Sequence, residues 1–170
     1  MTRATSAAIL ALAVLAFTSS TVSARQAPPV PAQAGMASGS VTLGSTTITL
    51  AHAYVGALAD GLYEVVLTDA PVPPADIAVE VKSGGGQRLL RSAQISGISM
   101  LVDGKGFLRN IIPFVGELRG GSMLASAGSL TAFAASATGV TGQGSMTAAQ
   151  TMSQGWSYAA SWKAVPVVVK

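Results

Sequence analysis

The 170-residue chain is 49% hydrophobic and 10% charged, with 19 Gly, 8 Pro and no Cys. The lack of cysteine excludes disulfide frameworks, thiolate nucleophiles, thiolate metal sites and an N-terminal lipidated cysteine, and at this length one domain is expected. Ten Lys and Arg against seven Asp and Glu leave a net charge of +3, without the Lys and Arg cluster that a nucleic-acid partner requires.

Along the chain, Arg3 precedes an apolar run from Ala7 to Phe17 and a polar stretch ending Val22-Ser23-Ala24. That order reads as a secretory signal peptide over residues 1–24, because the run is too short for a membrane helix, which needs roughly 20 apolar residues. Export to the periplasm or beyond the cell follows, with cleavage after Ala24. Residues 25–38 (RQAPPVPAQAGMAS) hold three prolines and show no hydrophobic periodicity, so they read as a flexible linker before a domain at 39–170. No later run reaches the length of a transmembrane helix.

From Gly39 onward apolar residues alternate with polar ones between Gly, Pro and Asp, the pattern of an all-β domain. Val41 and Leu43 alternate ahead of a turn at Gly44-Ser45. Thr47 to Val55 sets Ile48, Leu50, His52 and Tyr54 on one face, and Leu62 to Asp69 sets Tyr63, Val65 and Leu67 on one face and Glu64, Val66 and Thr68 on the other. Pro71, Pro73 and Pro74 end that strand. Ile77, Val79 and Val81 alternate with Ala78, Glu80 and Lys82, which reads as another strand. Gly84 to Gly86 breaks it, and Gln87 to Ala93 fits either a helical turn or a strand. Ile95 to Val102 and Phe107 to Ile112 flank Asp103-Gly104-Lys105-Gly106. This reads as a hairpin with a type I′ turn and a positive φ at Gly104.

After Pro113 the composition shifts to Ala, Ser, Gly and Thr, with Leu124, Leu130, Phe133 and Val140 as sparse apolar anchors. Small side chains specify register poorly, and the Gly residues at 139, 142 and 144 suggest bulges or close backbone approach. The closing segment sets Trp156, Tyr158, Ala160 and Trp162 on one face against Ser157, Ala159, Ser161 and Lys163. Together these runs make about eight short strands, an antiparallel β-sandwich or small barrel. Leu50 to Tyr54, Val65 to Pro71 and Trp156 to Ala164 resemble exported bacterial proteins mostly of unknown function. The resemblance implies a bacterial, exported β-rich domain and transfers no catalytic residue.

Chemistry in the sequence is sparse. His52 is the one residue able to act as base for a serine hydrolase, and no Gly-x-Ser-x-Gly elbow accompanies it. The competing reading is a buried or half-buried histidine hydrogen-bonded in the core. One His, no Cys and seven scattered carboxylates point to no metal and no cofactor. Gly84-Gly85-Gly86-Gln87-Arg88 lacks the Lys and Ser/Thr of a phosphate-binding loop, and Arg88 with Arg91 is too small a basic spot for nucleic acid. Trp156, Tyr158 and Trp162 fit either a core stripe or a platform for stacking on sugars or a partner.

Three roles compete. The first is a non-catalytic exported β-domain that binds a protein or carbohydrate, or serves a structural role. The second is a small hydrolase built on His52. The third is an eight-stranded outer-membrane barrel, whose expected aromatic girdles are poorly supplied.

Overall fold

The computed structural model describes residues 35–83, 90, 93–115, 118–119, 123–124, 129–147, 150 and 155–169. The first hairpins are β1 (Met36–Leu43), β2 (Thr46–Ala57) and β3 (Leu62–Thr68), with a 3-10 turn at Ala59–Gly61 between the last two. The helix α1 (Pro74–Lys82) precedes β4 (Gly97–Asp103) and β5 (Leu108–Val115). Two-residue strands β6 (Leu118–Arg119) and β7 (Met123–Leu124) both pair with β5, and β8 (Ser129–Ser136), β9 (Gly139–Met146) and β10 (Trp156–Val167) complete the chain.

The described strands join one sheet in the order β6-β5-β4-β3-β2-β1-β10-β9-β8, with β7 off this path beside β5. The eight longer strands form one antiparallel sheet curled into a half-barrel, the barrel-like form of the expected all-β domain. Strands adjacent in sequence pair antiparallel from β1 to β6, with α1 carried in the β3–β4 connection, and β10 returns to lie beside β1, with Val41 opposite Tyr158. Beyond the start of β1, β10 runs on parallel to β2, with Val165 opposite Tyr54. Because β1 starts at Met36, opposite Lys163, the strand takes in the last three residues of the expected linker.

The inside of the curl is the larger core. Val41, Leu50, Val65, Leu67, Ile98, Met100, Val102, Ile111, Trp156, Tyr158 and Trp162 are buried there together. Phe133 on β8 packs against it, its ring 6.2 Å from that of Tyr63 on β3. The far end of the sheet is thus drawn toward its middle by side-chain contact.

Two expectations need correction. Residues 76–82 are helical, not extended. Pro74 occupies the first turn with its φ already suited to a helix, Asp76 lies in the first turn and Lys82 in the last, each complementing the helix dipole. Ile77, Glu80 and Val81, spaced three and four apart, are buried, whereas Val79 is 55% exposed. The period-two pattern was therefore accidental. The helix covers the outer face of the sheet, where Ile77 and Val81 meet Tyr54, Val66, Phe114 and Val167 in a second core.

Face parity along β2 also changes. Ile48 and Leu50 face the inner core, but Ala53 and Val55 face it too, while Tyr54 joins the outer core. The change lies opposite a register shift in β1 between Met36 and Gly39, so His52 does not share a simple face with Ile48, Leu50 and Tyr54. Gly84 to Gly86, Arg88 and Arg91 lie outside the described residues, as does most of 87–93, of which Leu90 is helical and buried.

Candidate functional site

The hairpin expected around Asp103 forms, with Gly97 opposite Phe114 and Val102 opposite Leu108. Its turn differs from the expected one. The Asp103 N–H donates to Phe107 O, at 3.0 Å, and the Gly106 N–H donates to Asp103 O, at 2.9 Å. This closes a three-residue loop in which Gly106, not Gly104, has a positive φ, of 85°. Such a loop is a turn followed by a left-handed residue, for which glycine is the natural occupant.

Asp103 organises this turn. Its Oδ1 accepts the N–H groups of Lys105 and Phe107, each at 3.0 Å, and its Oδ2 accepts from Arg109 Nε at 3.1 Å and Nη2 at 2.7 Å. Desolvation raises the Asp103 carboxyl, but donation from the Phe107 N–H, the Arg109 side chain and the Lys105 N–H outweighs it. The carboxyl is held below its ordinary range and stays ionised, and the Arg109 fork is fixed in one orientation.

The β2–β3 connection stands beside this hairpin. Asp60 takes a left-handed conformation at φ 61°, which aspartate tolerates better than most residues. A Cβ placed on Gly104 would lie 3.6 Å from the Gly61 carbonyl oxygen, so the two turns lie side by side. Between them opens a cleft of about 720 Å³, within the range of small-ligand sites. Leu62 and Leu101 supply its apolar lining, Asp60 lines it from one turn, and Lys105, Phe107 and Arg109 line it from the other. Phe107 is 63% exposed, a large apolar ring left in solvent beside an ordered guanidinium.

A second polar cluster lies on the same sheet face, beneath α1. Glu64 follows Leu62 by two residues on β3 and stands opposite Leu101 on β4. It is buried and accepts a hydrogen bond from Ser99 Oγ at 2.7 Å. Burial pushes its carboxyl up, the Ser99 hydrogen bond opposes this, and the charge of Glu80, buried on α1, adds to it, for a value of about 7. At neutral pH Glu64 is therefore divided between its two protonation states. It is 6% exposed and does not line the cleft.

The residues singled out from sequence lie elsewhere. His52 is half-buried in β2, with Met36 and Thr68 as cross-strand neighbours. It makes no side-chain hydrogen bond to a described Ser, Asp or Glu, and it does not line the cleft. Trp156, Tyr158 and Trp162 are 0%, 3% and 0% exposed, so they form no external stacking platform. The rings of Trp156 and Tyr158 stack at 6.4 Å inside the curl. Among the described residues, Tyr158 OH and Trp162 Nε1 have no hydrogen-bond partner, and burial pushes the Tyr158 hydroxyl upward.

Among the described residues no three His, Asp or Glu side chains gather where a metal ion could be held. Phe107 and Arg109 carry no local signal in the sequence, because the cleft joins turns some forty residues apart, and Asp60 reads there only as one of seven scattered carboxylates, a usual turn-former. The Glu64 and Glu80 pair is equally hidden, since each carboxylate falls where a solvated strand position is the usual occupant. The chain matches no protein-family model, and comparison with curated proteins and with solved structures finds no match either.

Proposed function

We propose that this chain is an exported, non-catalytic β-domain that binds a ligand in the cleft between the β2–β3 turn and the β4–β5 hairpin. The observation that carries the reading is the cleft itself, with an exposed Phe107 and an Arg109 already fixed by Asp103. Leaving a phenylalanine in solvent forgoes burial free energy, and fixing an arginine side chain costs rotamer entropy. Both features suit a site ordered before its ligand arrives.

The distribution of polarity favours this role over a membrane barrel. Trp156, Trp162 and Met100 fill the inside, whereas the other faces of β1, β9 and β10 carry Ser40, Thr42, Thr141, Gln143, Ser157 and Lys163. A membrane barrel shows the reverse, an apolar band outside and polar groups within. Export is supported by the basic, apolar and small-residue order of residues 1–24.

The test is a fragment screen read by ¹⁵N–¹H NMR on the chain that starts at Arg25. Fragment-induced shifts should concentrate on the amides of residues 60–62 and 101–109, and Phe107→Ala should weaken them by about tenfold, the scale of one lost anchor contact. Shifts scattered over the whole surface would remove the cleft as the binding site. Mass spectrometry of the exported protein should find Arg25 at the N-terminus, and an intact Met1 would refute export by cleavage.

A further inference from the structure

We propose that the cleft takes a small apolar ligand bearing a carboxylate, with the acid group on Arg109 and Lys105 and the apolar part on Leu62, Leu101 and Phe107. This inference rests on the cleft being the ligand site and adds the chemical class of the ligand. The cleft is polarised. Both of its cations come from the β4–β5 hairpin, whereas Asp60 comes from the facing β2–β3 turn. Asp103 also lines the cleft, but its two oxygens are already engaged by the Lys105 and Phe107 N–H groups and by Arg109. It therefore presents no free acceptor, and its charge is spent on the guanidinium.

Arginine has five N–H donors in a planar fork. Asp103 takes two of them, through Nε and Nη2, so the remaining donors are held in a fixed plane at a side chain that is 57% exposed. A carboxylate matches that geometry, and the flexible ammonium of Lys105 on the same hairpin adds a second charge-assisted contact. Asp60 on the opposite turn repels an acid and so assigns the acid end of the ligand to the hairpin side. Between these ends the cleft offers two leucines and a phenylalanine, which suit an alkyl or aromatic group and give a polyhydroxylated sugar little to bond. The acid can be a free molecule or the C-terminus of a peptide, since both present the same carboxylate beside an apolar group.

The experiment titrates the mature protein, followed by ¹⁵N–¹H NMR at the amides of Gly61, Gly104 and Gly106. The probes are octanoate, octan-1-ol, maltotriose, and acetyl-Ala-Ala-Leu with either a free or an amidated C-terminus. Octanoate or the free-acid peptide should give saturable shifts, at least tenfold tighter than the neutral counterpart. Arg109→Gln should weaken that binding at least tenfold and Lys105→Gln severalfold, with neither variant affecting octan-1-ol. Octanoate alone identifies a free acid and the peptide alone a chain terminus, and either result supports the shared chemistry. If octan-1-ol binds as tightly as octanoate, or only maltotriose moves the cleft amides, the carboxylate is refuted and the binding role stands. If no probe moves a cleft amide while unrelated fragments shift other surfaces, both readings fall. Should Arg109→Gln lose its spectral dispersion, Lys105→Gln carries the comparison alone, and unchanged octanoate affinity in it would overturn the proposal.

Discussion

Glu64 shows how one side chain links burial to solution behaviour. Its carboxyl stands near 7 because burial disfavours the charge, the Ser99 hydrogen bond opposes that and Glu80 adds repulsion; an unfolded chain returns it to about 4.3. Between those values the folded protein binds more protons than the unfolded one, so stability falls as pH rises. The contribution is fully present below the unfolded value and is lost as pH passes through about 7, a difference on the order of 3 kcal/mol. Thermal melts should therefore show a lower Tm at pH 8 than at pH 5, and Glu64→Gln should flatten that slope and melt higher than wild type at pH 8. Parallel pH profiles for the two proteins would show that Glu64 is not the responsible group. Gly106 makes the companion case. Its φ of 85° is unfavourable for other residues, and a Cβ there would lie 2.8 Å from Phe133 Cβ. Gly106→Ala should cost more than about 1 kcal/mol, whereas Gly104→Ala, whose new Cβ would meet only the Gly61 carbonyl oxygen at an ordinary contact distance of 3.6 Å, should stay within about 0.5. Equal denaturant midpoints for the two variants would contradict the three-residue loop. Asp-Gly-Lys-Gly announces a hairpin, but it holds two glycines, and only the backbone bonds of Asp103 with Gly106 and Phe107 show which one carries the left-handed angle.

At the level of elements, legibility follows how local the determining signal is. β3 was readable residue by residue, because Tyr63, Val65 and Leu67 face one core while Glu64 and Val66 face the other. The β4–β5 hairpin was readable for the same reason. In α1 two local signals conflicted. Its β-branched residues at 77, 79 and 81 imitate a strand, whereas Pro74 and Asp76 mark a helix start, and the outcome depended on which face met Tyr54 and Phe114. Substitutions at 77 and 79 separate the two readings, since a strand would bury both side chains on one face. Ile77 is fully buried and Val79 is 55% exposed. Ile77→Ala should therefore cost about 2 to 4 kcal/mol and Val79→Ala less than about 0.5 in urea denaturation. A comparable loss at both positions would speak against the helix.

For the whole molecule, the hidden information is non-local. Strand number and class follow from alternation, but nothing in residues 36–43 announces that they will pair with residues 156–163, and the cleft needs turns from two separate hairpins. The Trp stripe was visible as a stripe, and its side was settled only by the curl, which places β10 next to both β1 and β9. The same arrangement makes the packing of β10 on β9 testable as a pair. Gly142 lies opposite Trp162, and a Cβ on Gly142 would run into the indole ring. Trp162→Ala should remove a fully buried side chain at a cost of about 3 to 5 kcal/mol, a large part of the roughly 5 to 15 that holds a domain together. Gly142→Ala alone should also destabilise, by about 1 to 3 kcal/mol, because the new methyl group would overpack a fully buried ring. In the double variant the new methyl group enters the space vacated by the indole, so its cost should vanish and the two effects should fall short of their sum by more than about 0.5 kcal/mol. Chemical denaturation of the four proteins gives the coupling directly. Strict additivity would mean that Gly142 and Trp162 do not meet, and the inner core would then have to be packed in another register.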